Sequence, residues 1–194
     1  AAAKSGLPSI LKSPMKTSAL IFLFILLCSL PINAQTKENS IEENENYMKM
    51  AIELAQTAVN EGNYPFGAVV VKNGVVVGKG YNCSHSTNDA TAHGEIMAIR
   101  DACKNLGTNW LEGCELYTNG EPCPMCFAAC FFANIKHIYF GATKEDMTEW
   151  GIVDMRPYDL VCQPLEKREI KSEVILREES GKLFEEWGKT NKKK

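Results

Sequence analysis

With 194 residues, 45% of them hydrophobic, and a formal net charge of −3, the chain can bury one sizeable core and has no disordered, collagenous or wholly membrane-embedded composition. The charge balance also argues against a nucleic-acid binder, which needs a Lys/Arg surface to displace counterions. Its one basic run, Lys192-Lys193-Lys194, is a terminal tail that solvation explains.

Residues 1–14 precede a start-like Met15 and are set aside as upstream sequence. Residues 15–34 read as a signal peptide: a basic beginning at Lys16, an apolar run from Ala19 to Leu30, and a small residue, Ala34, for cleavage. The run is short of the about 20 residues that a membrane span needs, and the bulky Leu27 argues against lipoprotein processing at Cys28. The expectation is export, to a periplasm, without stable membrane association after cleavage; a chain that did not use this segment would stay cytoplasmic. Removing residues 1–34 takes away Lys4, Lys12 and Lys16 and no acidic residue, which moves the formal charge from −3 to −6. Residues 35–45, with Glu38, Glu42, Glu43 and Glu45, read as an acidic linker, and 46–194 as a single domain.

Within that domain Met48, Ile52, Ala55 and Val59 recur at helical spacing until Gly62. Phe66 to Val71 and Val75 to Val77 are β-branched runs joined by Asn73-Gly74, a strong hairpin signal. Thr91 can cap a helix from His93 to Asn105 that ends at Gly107. A strand from Cys114 to Tyr117, a helix from Pro122 to Ala133, a strand from Ile138 to Phe140 and a helix from Thr143 to Trp150 follow. This order predicts an α/β fold of three layers, α/β/α, around a central mixed sheet.

The chemistry is concentrated in His93-Gly94-Glu95 and Pro122-Cys123-Pro124-Met125-Cys126. One imidazole and two thiols are three metal ligands, and a zinc site with three protein ligands keeps a fourth position for water or substrate. The expected cofactor is one Zn²⁺ per chain, on His93, Cys123 and Cys126. Glu95 is then free to carry protons, and the H-x-E…P-C-x-x-C order is the signature of zinc-dependent base deaminases. His93 and the two cysteines come from the starts of two helices, whose positive ends favour thiolates. Seven cysteines remain beyond the leader, an odd number that cannot form a complete disulfide framework. Cys103, Cys114 and Cys130 sit among apolar neighbours as core residues. A thioredoxin-like redox pair is the rival reading of Cys123 and Cys126, but it has no need of His93 and Glu95.

Together with that signature, Asn63-Tyr64-Pro65-Phe66-Gly67-Ala68-Val69-Val70-Val71, Asn82, Asn88-Asp89 and Thr91 to Arg100 resemble the bacterial guanine deaminases of the cytidine-deaminase-like superfamily, over most of residues 46–194. The resemblance implies a cytidine-deaminase-like fold that hydrolyses the free base guanine to xanthine and ammonia, with Glu95 as proton shuttle. It further implies that Phe66 stacks on the base, Asn82 reads a ring edge, Gly94 N–H and the Pro122 carbonyl orient the amide edge and leaving amine, and Asp154 lies near the base. Plainer readings stand beside these: Phe66 as core, Asn82 as a turn residue, Asp154 as a solvated loop acid. His85 and His137 have no partners in spacing and fall outside the site. The chain departs from many relatives at Gly120, where they carry Cys, and at Val153, where a second acid is common. Phe184-Glu185-Glu186-Trp187-Gly188 resembles the C-terminal helix that guanine deaminases exchange in a homodimer, although lysines follow here in place of an aromatic end. The expected partner is a small nucleobase and not a nucleic acid. Two alternatives stay open: deamination of another base or nucleoside, such as cytosine, guanosine or an oxidised guanine, and an exported metal or redox module without turnover.

Overall fold

The computed structural model divides the chain into two units, Ala1–Thr36 and Lys37–Lys194. It describes residues 39–153, 156–164, 167–170 and 172–191. The leader at 15–34, the upstream residues 1–14 and Asp154 therefore lie outside the described residues. Among the described residues no helix is long and apolar enough to cross a membrane.

Helix α1 spans Ile41–Asn60 and starts on a capping box, in which Ser40 accepts from the Glu43 N–H and Glu43 accepts from the Ser40 N–H. The acidic stretch assigned to a linker through residue 45 is thus helical from Ile41, with Glu42 and Glu43 in the first turn, where carboxylates favour the positive helix end. Strands β1 (Gly67–Lys72) and β2 (Val75–Tyr81) form the expected hairpin, and Asn73 and Gly74 both have positive φ, as a type I′ turn requires. Strands β3 (Cys114–Gly120) and β4 (His137–Ala142) complete the sheet in the order β2-β1-β3-β4. β1 is antiparallel to β2 and β3, and β3 is parallel to β4, so the sheet is mixed.

β1 has helices on both sides and reads accordingly as a continuous apolar run. Ala68 and Val70 pack with Ala98, Ile99 and Ala102 of α3 (Gly94–Leu106) and Cys130 of α4 (Pro124–Phe132). Val69 and Val71 face the other way, with Tyr117, against Tyr47, Met50 and Leu54 of α1. Helices on both faces make the three-layer α/β/α arrangement that the element order predicts. Close approach of α3 depends on two glycines of β2. A Cβ on Gly78 would lie 2.6 Å from the Ala102 nitrogen, and one on Gly80 would run into the backbone of Gly94, Met97 and Ala98.

Some boundaries differ from the sequence reading. His93, not Thr91, is the N-cap of α3, because Thr91 gives both its N–H and its hydroxyl to the Asp89 carboxylate two residues before it. α4 begins at Pro124, with Cys123 as N-cap, because Pro suits the first helical position, where no N–H is needed. β3 runs on to Gly120 alongside β4. Helices α2 (Ser84–Thr87) and α6 (Arg156–Cys162) have no counterpart in the sequence reading, α7 (Arg177–Asn191) contains the segment at 184–188 that resembles a C-terminal helix, and α5 (Lys144–Glu149) is the expected helix, with a Thr143–Asp146 capping box.

Candidate active site

The N-terminal ends of α3 and α4 meet on one side of the sheet. Their N-cap residues, His93 and Cys123, are extended (ψ 154 and 166) and neither side chain caps its own helix, so both project towards the space between the helices. Cys126 follows one turn along α4 and is fully buried. His93 Nδ1 lies 3.7 Å from Cys123 Sγ and 3.6 Å from Cys126 Sγ, and the three ligand atoms fall within 4.8 Å of one another. Tetrahedral zinc with Zn–S of about 2.3 Å and Zn–N of about 2.0 Å separates a sulfur from a nitrogen by about 3.6 Å. These residues therefore fit the ion.

The three groups shift one another's acidity. Cys123 is lowered to about 4, first by a hydrogen bond from the Cys126 thiol and then by His93. The same bond, with burial, pushes Cys126 up. His93 is raised, chiefly by its hydrogen bond with Cys123. Glu95 is 4% exposed, and burial raises its carboxyl above the usual range.

A cavity of about 640 Å³ opens beside these groups, and His93, Glu95, Cys123, Phe66, Asn82 and Tyr158 are in its wall. Phe66 belongs to neither core cluster, so the core reading does not hold for it. Asn82 is a turn residue that also lines the cavity. Its buried Oδ1 accepts from the N–H and hydroxyl of Ser84, 3.1 and 2.9 Å, forming a turn, while its Nδ2 has no partner among the described residues. Gly94 is pressed against β1: a Cβ there would lie 3.0 Å from the Phe66 carbonyl oxygen. Its N–H, first in α3, has no helical acceptor. Pro122 is buried, and its carbonyl accepts from the Tyr158 hydroxyl over 3.5 Å. Gly120 leaves room that its neighbours take up, since a Cβ there would lie 2.7 Å from Met147 Sδ and 3.1 Å from Phe66 Cε1. Val153 lines the cavity. Neither His85, tilted against Tyr64, nor His137, stacked on Tyr139, is in the cavity wall.

Tyr158, Tyr64 and Glu121 are wall residues that the sequence did not point out. Tyr158 sits on α6, a short helix without apolar periodicity, with the Lys144 ammonium 5.5 Å from its ring centroid. Burial and the nearby Cys123, Glu121 and Glu95 push its phenol up to about 12, so it remains a hydrogen-bond donor. Glu121 Oε2 accepts from the Lys144 N–H at 2.9 Å, which ties the loop before α4 to the start of α5.

Residues 41–142 match the cytidine and deoxycytidylate deaminase zinc-binding region, and the chain belongs to that family of zinc-binding deaminases. It is 41% identical over 145 residues to a guanine deaminase of Bacillus subtilis (strain 168), which covers 74% of this chain and 93% of that protein. The X-ray structure of guanine deaminase from Bacillus subtilis superposes with a TM-score of 0.72 at 40% identity, over 77% of this chain and 96% of that one. A tRNA-specific adenosine deaminase of Aquifex aeolicus (strain VF5) is also similar, 36% identical over 145 residues, 75% of this chain and 93% of that protein.

Proposed function

We propose that the chain is a guanine deaminase, converting guanine and water to xanthine and ammonia. The observation that carries this reading is the cavity, where an aromatic wall residue, Phe66, and an amide donor, Asn82 Nδ2, which has no partner among the described residues, stand beside a buried carboxyl, Glu95, and the His–Cys–Cys cluster. Zinc bound by His93, Cys123 and Cys126 would act as a Lewis acid that activates water for attack on the amino-bearing carbon C2. Glu95 takes one proton from that water and delivers it to the adjacent ring nitrogen, then takes the second proton from the hydroxyl added at C2 and passes it to the amine, which leaves as ammonia while C2 becomes a carbonyl. Phe66 supplies a stacking face, and Asn82 Nδ2 donates to an acceptor on the ring edge. Gly94 N–H and the Pro122 carbonyl lie at the start of the two helices, where they can orient the substrate amide and the leaving amine.

Guanine presents N1–H and a C2 amine beside its C6 carbonyl, and Asp154 is assigned as the acceptor for that edge. A site built to bond a polar edge rejects ligands without it by large factors, because its buried polar groups are left unpaired. Asp154→Asn should lower kcat/KM for guanine by about tenfold or more and leave zinc content unchanged, measured by ammonia release and metal analysis. Unchanged guanine turnover in that variant would remove Asp154 from the substrate contacts.

The similarity to a tRNA-specific adenosine deaminase favours a second reading, deamination of an adenosine in RNA. The acidic body, −6 without residues 1–34, weighs against it. For assembly we propose a homodimer, with the C-terminal segment carried to the partner. In support, Leu183, Phe184 and Trp187 of α7 are 67%, 73% and 67% exposed in the single chain. Sedimentation equilibrium should give twice the chain mass; a monomer at micromolar concentration would contradict the proposal.

A further inference from the structure

The backbone around Phe66 is held with unusual completeness, and one side chain outside the cavity wall does much of it. Asn119 of β3 accepts the Gly67 N–H on Oδ1 and donates from Nδ2 to the Pro65 carbonyl, both at 2.9 Å. One amide therefore holds the peptide groups on either side of Phe66, much as a neighbouring strand would. Phe66 completes the set itself: its N–H donates to the Tyr64 carbonyl and its carbonyl accepts the Asn82 N–H, each at 2.8 Å. With both flanking peptides fixed, the direction of its Cα–Cβ bond is fixed too. The ring then lies over the gap that Gly120 leaves next to Asn119.

We infer that Asn119 is a positioning residue that sets the Phe66 ring at the angle the base requires, and that it acts on substrate only through Phe66. The inference rests on the proposed base-stacking role of Phe66. Hydrogen-bond geometry selects Asn here, because a single short side chain must accept from one of the peptides that flank Phe66 and donate to the other. Leu has the same branching and can do neither.

The test is a double-mutant cycle on zinc-loaded protein. Guanine binding is measured by calorimetry in the Glu95→Gln background, where turnover does not interfere, and steady-state kinetics are measured in the wild-type background. Base–aromatic stacking corresponds to roughly five- to 150-fold in affinity. Phe66→Ala should weaken guanine binding within that range, Asn119→Leu should weaken it nearly as much, and the double variant should be no worse than Phe66→Ala alone. In the active background KM should rise far more than kcat falls. Asn119→Asp, which keeps the acceptor for Gly67, should fall between wild type and Asn119→Leu, and it serves in the cycle if Asn119→Leu does not fold. Additive losses, unchanged guanine affinity in the Asn119 variants, or no guanine binding by the parent would each overturn the inference. If the coupling is present but the wild type releases no ammonia from guanine, the proposed reaction falls and the positioning role stands.

Discussion

Glu95→Gln is expected to retain zinc and fold while losing turnover by about 10²- to 10⁴-fold, the range for removing a positioned proton carrier. Gln has the same shape and can fill the same 4%-exposed position on the first turn of α3, so packing beneath it is preserved. What it lacks is a group that can take a proton from water and return it. Because the loss arises in the chemical step, kcat should fall and KM should change little. Steady-state ammonia release with metal analysis on the same sample measures both; near-normal release with zinc retained would show that protons travel by another route.

Cys126→Ala is expected to lose zinc and activity together. The fit of His93 Nδ1 to two sulfurs at 3.6 and 3.7 Å depends on all three ligands, and two protein ligands hold zinc far more weakly than three. Stability should fall as well, since a ligand bound only by the folded state stabilises it by an amount that grows with the logarithm of the ligand concentration relative to its dissociation constant. The thermal midpoint of the wild type should therefore drop on chelation, and that of the variant should not respond. Stoichiometric zinc in Cys126→Ala would show that the ligand set is wrong.

The metal cluster was legible in sequence because ligand chemistry and helix starts leave local marks. His93, Glu95, Cys123 and Cys126 lie in two short segments, and their spacing already says which of them share a helix end. The hairpin was legible for the same reason, through Asn73-Gly74. The beginning of α1 was readable in principle, since Ser40 and Glu43 spell a capping box, but the acidic residues after a leader-like stretch drew the boundary to 46. Asn119 and Tyr158 were not readable. Asn119 acts on residues more than fifty positions away, through a pairing of β3 with β1 that no local pattern encodes. Tyr158 reaches the Pro122 carbonyl from a helix with no apolar periodicity. Sequence could place the atoms that hold a metal and two residues of the wall, Phe66 and Asn82, but not the side chains brought there by distant pairing.

The central claim, a zinc-dependent guanine deaminase, is tested most directly by measuring ammonia release from zinc-loaded protein with guanine, adenine, cytosine, guanosine and a transfer RNA as parallel substrates. Guanine should be deaminated with the highest kcat/KM, xanthine should appear in equal amount to ammonia, and adenine, cytosine and the RNA should be poor substrates. Faster deamination of cytosine, of a nucleoside or of the RNA, or no ammonia from any of them at full zinc occupancy, would contradict it.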